Sequence, residues 1–384
     1  MSLDNSLHGK AGTGSVAQGG GSDRPLFTAY SLGDLPLANR VVMSPMTRGR
    51  TTNSGRVPTV VEARYYSQRA SAGLIITGGI YVSPQAVGAI NVPGLYTEEQ
   101  VDGWKRITDA IHRRGSRIFA QIAHSGSISH PDLLNGASPV APSAVNPLQK
   151  AFTPSGFADT VTPRELTLSE IQAVIDDFRV AAANAKRAGF DGVELHGAAI
   201  YLIPQFLNEA TNLRTDAYGG TVENRSRLLL EILSALADVW AHSRIGIKLS
   251  PSLNGLGVFR ATETTVPTYE YIVKHLAAFQ PAYLHLMRPI NDLSGTPVAL
   301  LQQHTLDHFR SMFPGTIIGN VGFDSESANE AIRNGNADLI SFARHYISNP
   351  DLVERLRHGY ALATSDPTTY FQGGSTGYID YTHY

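Results

Sequence analysis

Seven polar residues share one kind of position along this chain. Thr47, Gln121, His124, His196, Lys248, His285 and Arg344 each stand at the end of, or just beyond, a short apolar run rich in Val, Ile and Leu. A lone His at a strand end is more often a hydrogen-bonded structural group than a catalyst, but several such ends converging on one face point to a site. Tyr201 follows His196 by five residues. A Tyr there could donate a proton, or simply pack as an aromatic. Lys248 could be a Schiff-base nucleophile if burial lowers its pKa, or a fixed positive charge beside an anionic cofactor. Arg344 follows the last apolar run, where barrels hold phosphate, although a surface ion pair would suit it too. Other chemistries are excluded. With no cysteine, disulfides, thiolate catalysis and cysteine-bound metals drop out. Asp, Glu and His form no metal cluster at these ends, so no metal site is expected. There is no Gly-x-Ser-x-Gly elbow. The glycine run Gly19–Gly21 lies in the N-terminal stretch, not between a strand and a helix, so it is no phosphate loop.

The elements that must position these residues are legible as an alternation. Eight apolar runs occur, at 41–45, 74–78, 118–123, 192–196, 245–250, 282–287, 316–321 and 338–343. They are continuous rather than alternating, as buried parallel strands are. Helical patterns lie between them. Thr97 and Gln100 make a capping-box pair ahead of Val101, Trp104, Ile107 and Ile111, and Gly115 is the stop. Thr167 and Glu170 repeat the signal, with Gly189 as the stop, and Asp324 caps a helix that Gly335 ends. Eight such units without a break in composition predict a (β/α)₈ TIM barrel; a doubly wound sheet is the alternative on periodicity alone. The connection after the third strand, residues 125–165, is long and carries six prolines, and it is expected to form a lid over the C-terminal face.

The 384 residues fit one barrel domain over 25–384, preceded by a flexible Gly/Ser-rich tail over 1–24. A net charge of −2 gives no field that favours nucleic acid or an anionic membrane, so a small-molecule substrate is the expected partner. No apolar run is long enough to span a bilayer, and the N-terminus has no apolar stretch of the secretory kind. A cytoplasmic protein is expected.

Several segments resemble the old yellow enzyme family of flavin-dependent ene-reductases over about residues 25–382. They are LFTAYSLGDLPLANRVVMSPMTRGR, YYSQRASAGLIITGGIYVSPQ, IHRRGSRIFAQIAHSGSISHPD, AGFDGVELHGAAIYLIPQFLNEATNLRTDAYGGTVENRSR, ISNPDLVERLRHG and GYIDY. The resemblance implies FMN across the top of the barrel, NADPH or NADH as reductant, and hydride transfer to the β-carbon of an activated alkene. It implies that Thr47 and Gln121 face the flavin ring, that Arg344 and Gly322 hold the phosphate, that His196 grips the substrate carbonyl and that Tyr201 supplies the proton. Five positions depart from the family pattern. Ala199 stands where the family has Asn or His. Ala123 stands where many members have Trp, which widens a substrate pocket that includes His124. Lys248 replaces an Arg near the flavin, and Val321 and Ala343 replace glycines at the phosphate. Two readings follow. One is an FMN oxidoreductase with a divergent pocket. The other is a barrel with weakened or lost flavin that runs a non-redox isomerisation, cyclisation or lyase reaction.

Overall fold

Apolar runs without polar alternation must be covered on both faces, and parallel strands flanked by helices achieve that. In the computed structural model, which describes residues 24–384, all eight runs are strands. They are β1 (Val41–Met43), β2 (Leu74–Ile76), β3 (Ile118–Ala123), β4 (Gly192–Gly197), β5 (Ile245–Leu249), β6 (Tyr283–Met287), β7 (Ile317–Asn320) and β8 (Leu339–Phe342). Each pairs in parallel with the next. The last pairing, of β8 with β1 through Ile340↔Val41 and Phe342↔Met43, closes the ring. That closure excludes the doubly wound sheet. Residues 1–23, nearly all of the stretch read as a tail, lie outside the described residues. Arg24 is tied to the body by bonds to the carbonyls of Leu356 and Arg357.

The capping signals hold. Helix α1 spans Val60–Gln68 and α2 spans Glu98–His112; α2 is capped by Thr97 and Gln100 in both directions of the box. Helix α3, Leu168–Arg187, is capped in the same way by Thr167 and Glu170. The short helix α4 (Leu202–Leu207) and helix α5 (Val222–Ala237) follow β4. Helices α6 (Thr265–Phe279), α7 (Leu301–Arg310) and α8 (Ser325–Arg333) follow β5, β6 and β7, and Asp324 caps α8.

The N-terminal end of the barrel is sealed. Leu74, Phe119, Tyr283, Ile318 and Leu339, from the starts of their strands, join Leu32, Leu35 and Leu37 of the hairpin Tyr30–Leu32/Leu35–Leu37 in one buried cluster. The working end is therefore the opposite one. The 125–165 connection is folded: Lys150–Thr153 and Gly156–Asp159 form an antiparallel hairpin, and Val140–Ala141 pairs with Arg164–Glu165. It packs on the neighbouring loops, with Ala89 bridged to Phe152 and Val258 N–H donating to the Pro147 carbonyl.

Candidate active site

The C-terminal ends of β3, β4, β5 and β6 carry a buried polar layer with one carboxylate at its centre. Glu194 of β4 is fully buried and accepts from Gln121 Nε2 at 2.7 Å and from His285 Nδ1 at 2.9 Å. His285 Nε2 lies 2.8 Å from Ser341 Oγ. Burial, then the neighbouring Lys248 charge, pull His285 down to about 4. The nearby His285 and Lys248 keep Glu194 below the usual carboxylate range even though burial, the largest influence, opposes that. These partners have two consequences. His285, expected to face the site, is instead consumed inside the barrel wall. Gln121 is oriented so that its amide nitrogen is spent on Glu194, which leaves Oε1 as an acceptor toward the barrel mouth.

Lys248 sits in register between His196 on β4 and His285 on β6. Its ammonium is buried and has one long contact, 3.4 Å to Ser44 Oγ. Burial lowers Lys248 to about 8, with Glu194 opposing. A buried cation with so few partners is costly unless something anionic completes its shell.

Gly79 stands against this layer. A Cβ placed on Gly79 would lie 3.5 Å from Ala123 Cβ, 3.6 Å from Gln121 Oε1 and 3.9 Å from His196 Cδ2. Thr47, on the chain leaving β1, lines one cavity with Met46, Gly78, Gly79 and Tyr66. Thr47, Gln121, Ala123 and His196 are thus brought round Gly79. The Ala198 N–H donates to His196 Nδ1 at 3.4 Å, so the free Nε2 carries the proton. Enclosure, then Lys248, pull His196 down to about 3, and it is neutral at ordinary pH. The Tyr201 ring stands edge-on to it, with centroids 4.8 Å apart and planes at 85°. Burial, and less so Tyr81, push the Tyr201 phenol up, so it holds its proton.

His124 is placed differently. It is buried, its Nδ1 accepts from Gly126 N–H at 3.0 Å, and its Nε2 has no partner. Burial pulls it down to about 3. Its carbonyl accepts from Leu202 N–H at 3.0 Å, which ties the end of β3 to the loop carrying Tyr201. Ala199 adopts a left-handed φ of +58°, held by its N–H donating to Ser250 Oγ at 2.9 Å.

The last piece lies after β7. Val321 and Gly322 are both left-handed, with φ of +78° and +71°. Such a conformation is rare for a β-branched residue and costs about 1–3 kcal/mol. The chain thus keeps a glycine-type turn although Val occupies it. Arg344, the first residue of the short helix Arg344–Ser348 after β8, is exposed and takes part in no ion pair among the described residues. That removes the surface ion-pair reading for it.

These features suit a flat, anionic, phosphorylated ring system. Gln121 has a free amide acceptor, Lys248 an under-partnered ammonium, the chain after β7 a strained turn whose backbone N–H groups can meet an anion, and the chain after β8 an exposed Arg without an ion pair among the described residues. FMN is such a group, and Thr47, Gln121, Lys248, Gly322 and Arg344 fit it. One residue of this layer was missed in the sequence: Glu194, signalled only by its place two residues before His196 on the same strand face.

A closed eight-stranded barrel with this layer at its C-terminal mouth defines a flavin oxidoreductase framework. Residues 25–363 match the NADH:flavin oxidoreductase / NADH oxidase family, and the chain belongs to it, within the old yellow enzyme group. It is 40% identical to 12-oxophytodienoate reductase 1 of Oryza sativa subsp. japonica over 93% of this chain and 92% of that protein. Among solved structures it is similar to morphinone reductase in complex with tetrahydroNAD, with a TM-score of 0.87, 40% identity, and 94% and 97% of the two chains covered. It is also similar to the old yellow enzyme homologue from Zymomonas mobilis, with a TM-score of 0.87, 35% identity, and 93% and 99% covered.

Proposed function

We propose that this protein is an FMN-dependent ene-reductase that saturates the C=C bond of an α,β-unsaturated carbonyl compound, with NADPH or NADH as reductant. FMN, when bound, would supply the hydride-transfer chemistry between the nicotinamide and the alkene β-carbon. The observation that carries the reading is the pair of neutral donors, His196 Nε2–H and the Tyr201 hydroxyl, with His196 grouped beside Gln121 and Ala123 round Gly79. His196 grips the carbonyl oxygen, where negative charge develops, and being neutral it does so without a competing proton equilibrium. Tyr201 gives its proton to the α-carbon. Thr47 and Gln121 would hold the flavin ring, Lys248 would supply positive charge to it, and Gly322 with Arg344 would hold the phosphate.

Ala123 and Ala199 leave room on the substrate side, which suits a bulky enone. His124 faces neither role directly; its backbone steadies the loop that carries Tyr201. The 125–165 hairpin segment shields one flank of the site. One domain over 25–384 holds all of these parts. The non-redox reading has no observation of its own, because the left-handed turn at Val321 and the unpaired Arg344 are built for an anion.

The test is twofold. The purified protein should show flavin absorption bands and release FMN on denaturation; a colourless protein that takes up no FMN would overturn the assignment. Tyr201→Phe should slow enone reduction about 100-fold or more while flavin reduction by NADPH or NADH persists. Loss of both half-reactions would refute the acid role.

A further inference from the structure

Arg288 is not among the residues assigned above, and its surroundings single it out. Its Nε donates to the Val321 carbonyl at 2.8 Å, and its guanidinium stacks 3.8 Å above the Phe323 ring. Nη2 lies 3.0 Å from where a Cβ on Gly322 would be, so a side chain there would have to push it aside. One side chain therefore touches all three residues of the strained turn. Its two terminal nitrogens have no hydrogen-bond acceptor among the described residues. The nearest carboxylate, Asp324, is spent on the cap of α8, where it accepts from Ser327 N–H at 2.8 Å and from Ser327 Oγ at 2.6 Å. A half-buried guanidinium with one edge anchored and the other free is a preformed fork for a dianion.

We propose that Arg288 is a second cation of the phosphate cradle, presenting its free edge to the FMN 5′-phosphate across the Val321–Gly322 turn while Arg344 approaches from β8. The proposal rests on the FMN reading above. Arg288 has two tasks in it. Anchoring the Val321 carbonyl holds the turn left-handed despite the branched side chain, so the backbone N–H groups stay aimed at the anion. Its charge offsets the less open backbone that Val321 and Ala343 leave in place of glycine.

The experiment compares Arg288→Gln with the unaltered protein, after removal of bound flavin, by fluorescence titration with FMN and with riboflavin, which lacks the phosphate. FMN affinity should fall about 10- to 100-fold while riboflavin affinity changes less than about threefold. Arg288→Lys should recover part of the loss, since it keeps the charge but not the fork. Unchanged FMN affinity, or equal losses for FMN and riboflavin, would overturn the proposal. Thermal unfolding with added inorganic phosphate separates it from the FMN reading. If the unaltered protein takes up neither flavin, the FMN assignment fails. A phosphate-induced rise in Tm that disappears in Arg288→Gln then still supports an anion cradle. A rise of equal size in both proteins, or none in either, refutes it.

Discussion

At the scale of single residues, position 199 is the most informative departure. Its φ of +58° lies in the left-handed region, where Asn is comfortable and Ala pays for its Cβ without offering a donor. The backbone still holds the shape that an Asn there would use, fixed by Ser250. Ala199→Asn should therefore fold normally and add a second donor to the substrate carbonyl. We expect kcat/KM for a simple cyclic enone to rise about 10- to 100-fold, with FMN affinity unchanged. Steady-state kinetics check this; no gain would mean that His196 alone suffices or that the carbonyl lies elsewhere. The residues proposed for the site were legible as candidates because their types stand out at strand ends: Thr47, Gln121, His196, Lys248 and Arg344. His285 misled for the same reason. Strand-end position gives proximity to the mouth but not which neighbour has already claimed the side chain, and here Glu194 and Ser341 had.

At the scale of elements, local signals proved sufficient where the physics is local. Thr97 and Gln100 close the N-terminal end of α2 within four residues of chain, with Thr97 Oγ1 accepting from Gln100 N–H at 3.3 Å and Gln100 Oε1 from Thr97 N–H at 3.2 Å. Thr97→Ala should lower unfolding free energy by about 1 kcal/mol in denaturant titrations, and Thr97→Ser should lose much less. An unchanged midpoint for Thr97→Ala would show the cap to be redundant. The 125–165 segment was different. Its prolines marked an irregular excursion, but the pairing of Val140–Ala141 with Arg164–Glu165 joins residues far apart along the chain.

At the scale of the whole molecule, the barrel holds three neutral histidines in its upper half. His124 and His196 are pulled to about 3 and His285 to about 4, against an ordinary value near 6.5. Between those values the unfolded chain binds more protons than the folded one, so stability rises with pH across that window and is lost as pH falls through it. Lys248, lowered to about 8, adds a second rise between about 8 and its ordinary value near 10.5. The flavin-free protein should therefore lose Tm steadily from pH 7 toward pH 4. A flat profile over that range, read by scanning calorimetry, would mean that these histidines are charged or exposed.

The sequence by itself determined the barrel, its eight strands, the bounds of three helices and the family, because these follow from burial periodicity, from capping within a few residues and from motifs contiguous in the chain. Only the tertiary structure decided which polar groups remain free to act. It spent His285 on Glu194, turned the Gln121 amide, bent Val321 left-handed and set Arg288 from β6 against the turn after β7. Hydrogen-bond partnership between strands is a property of three-dimensional neighbours, and strand spacing along the chain does not encode it.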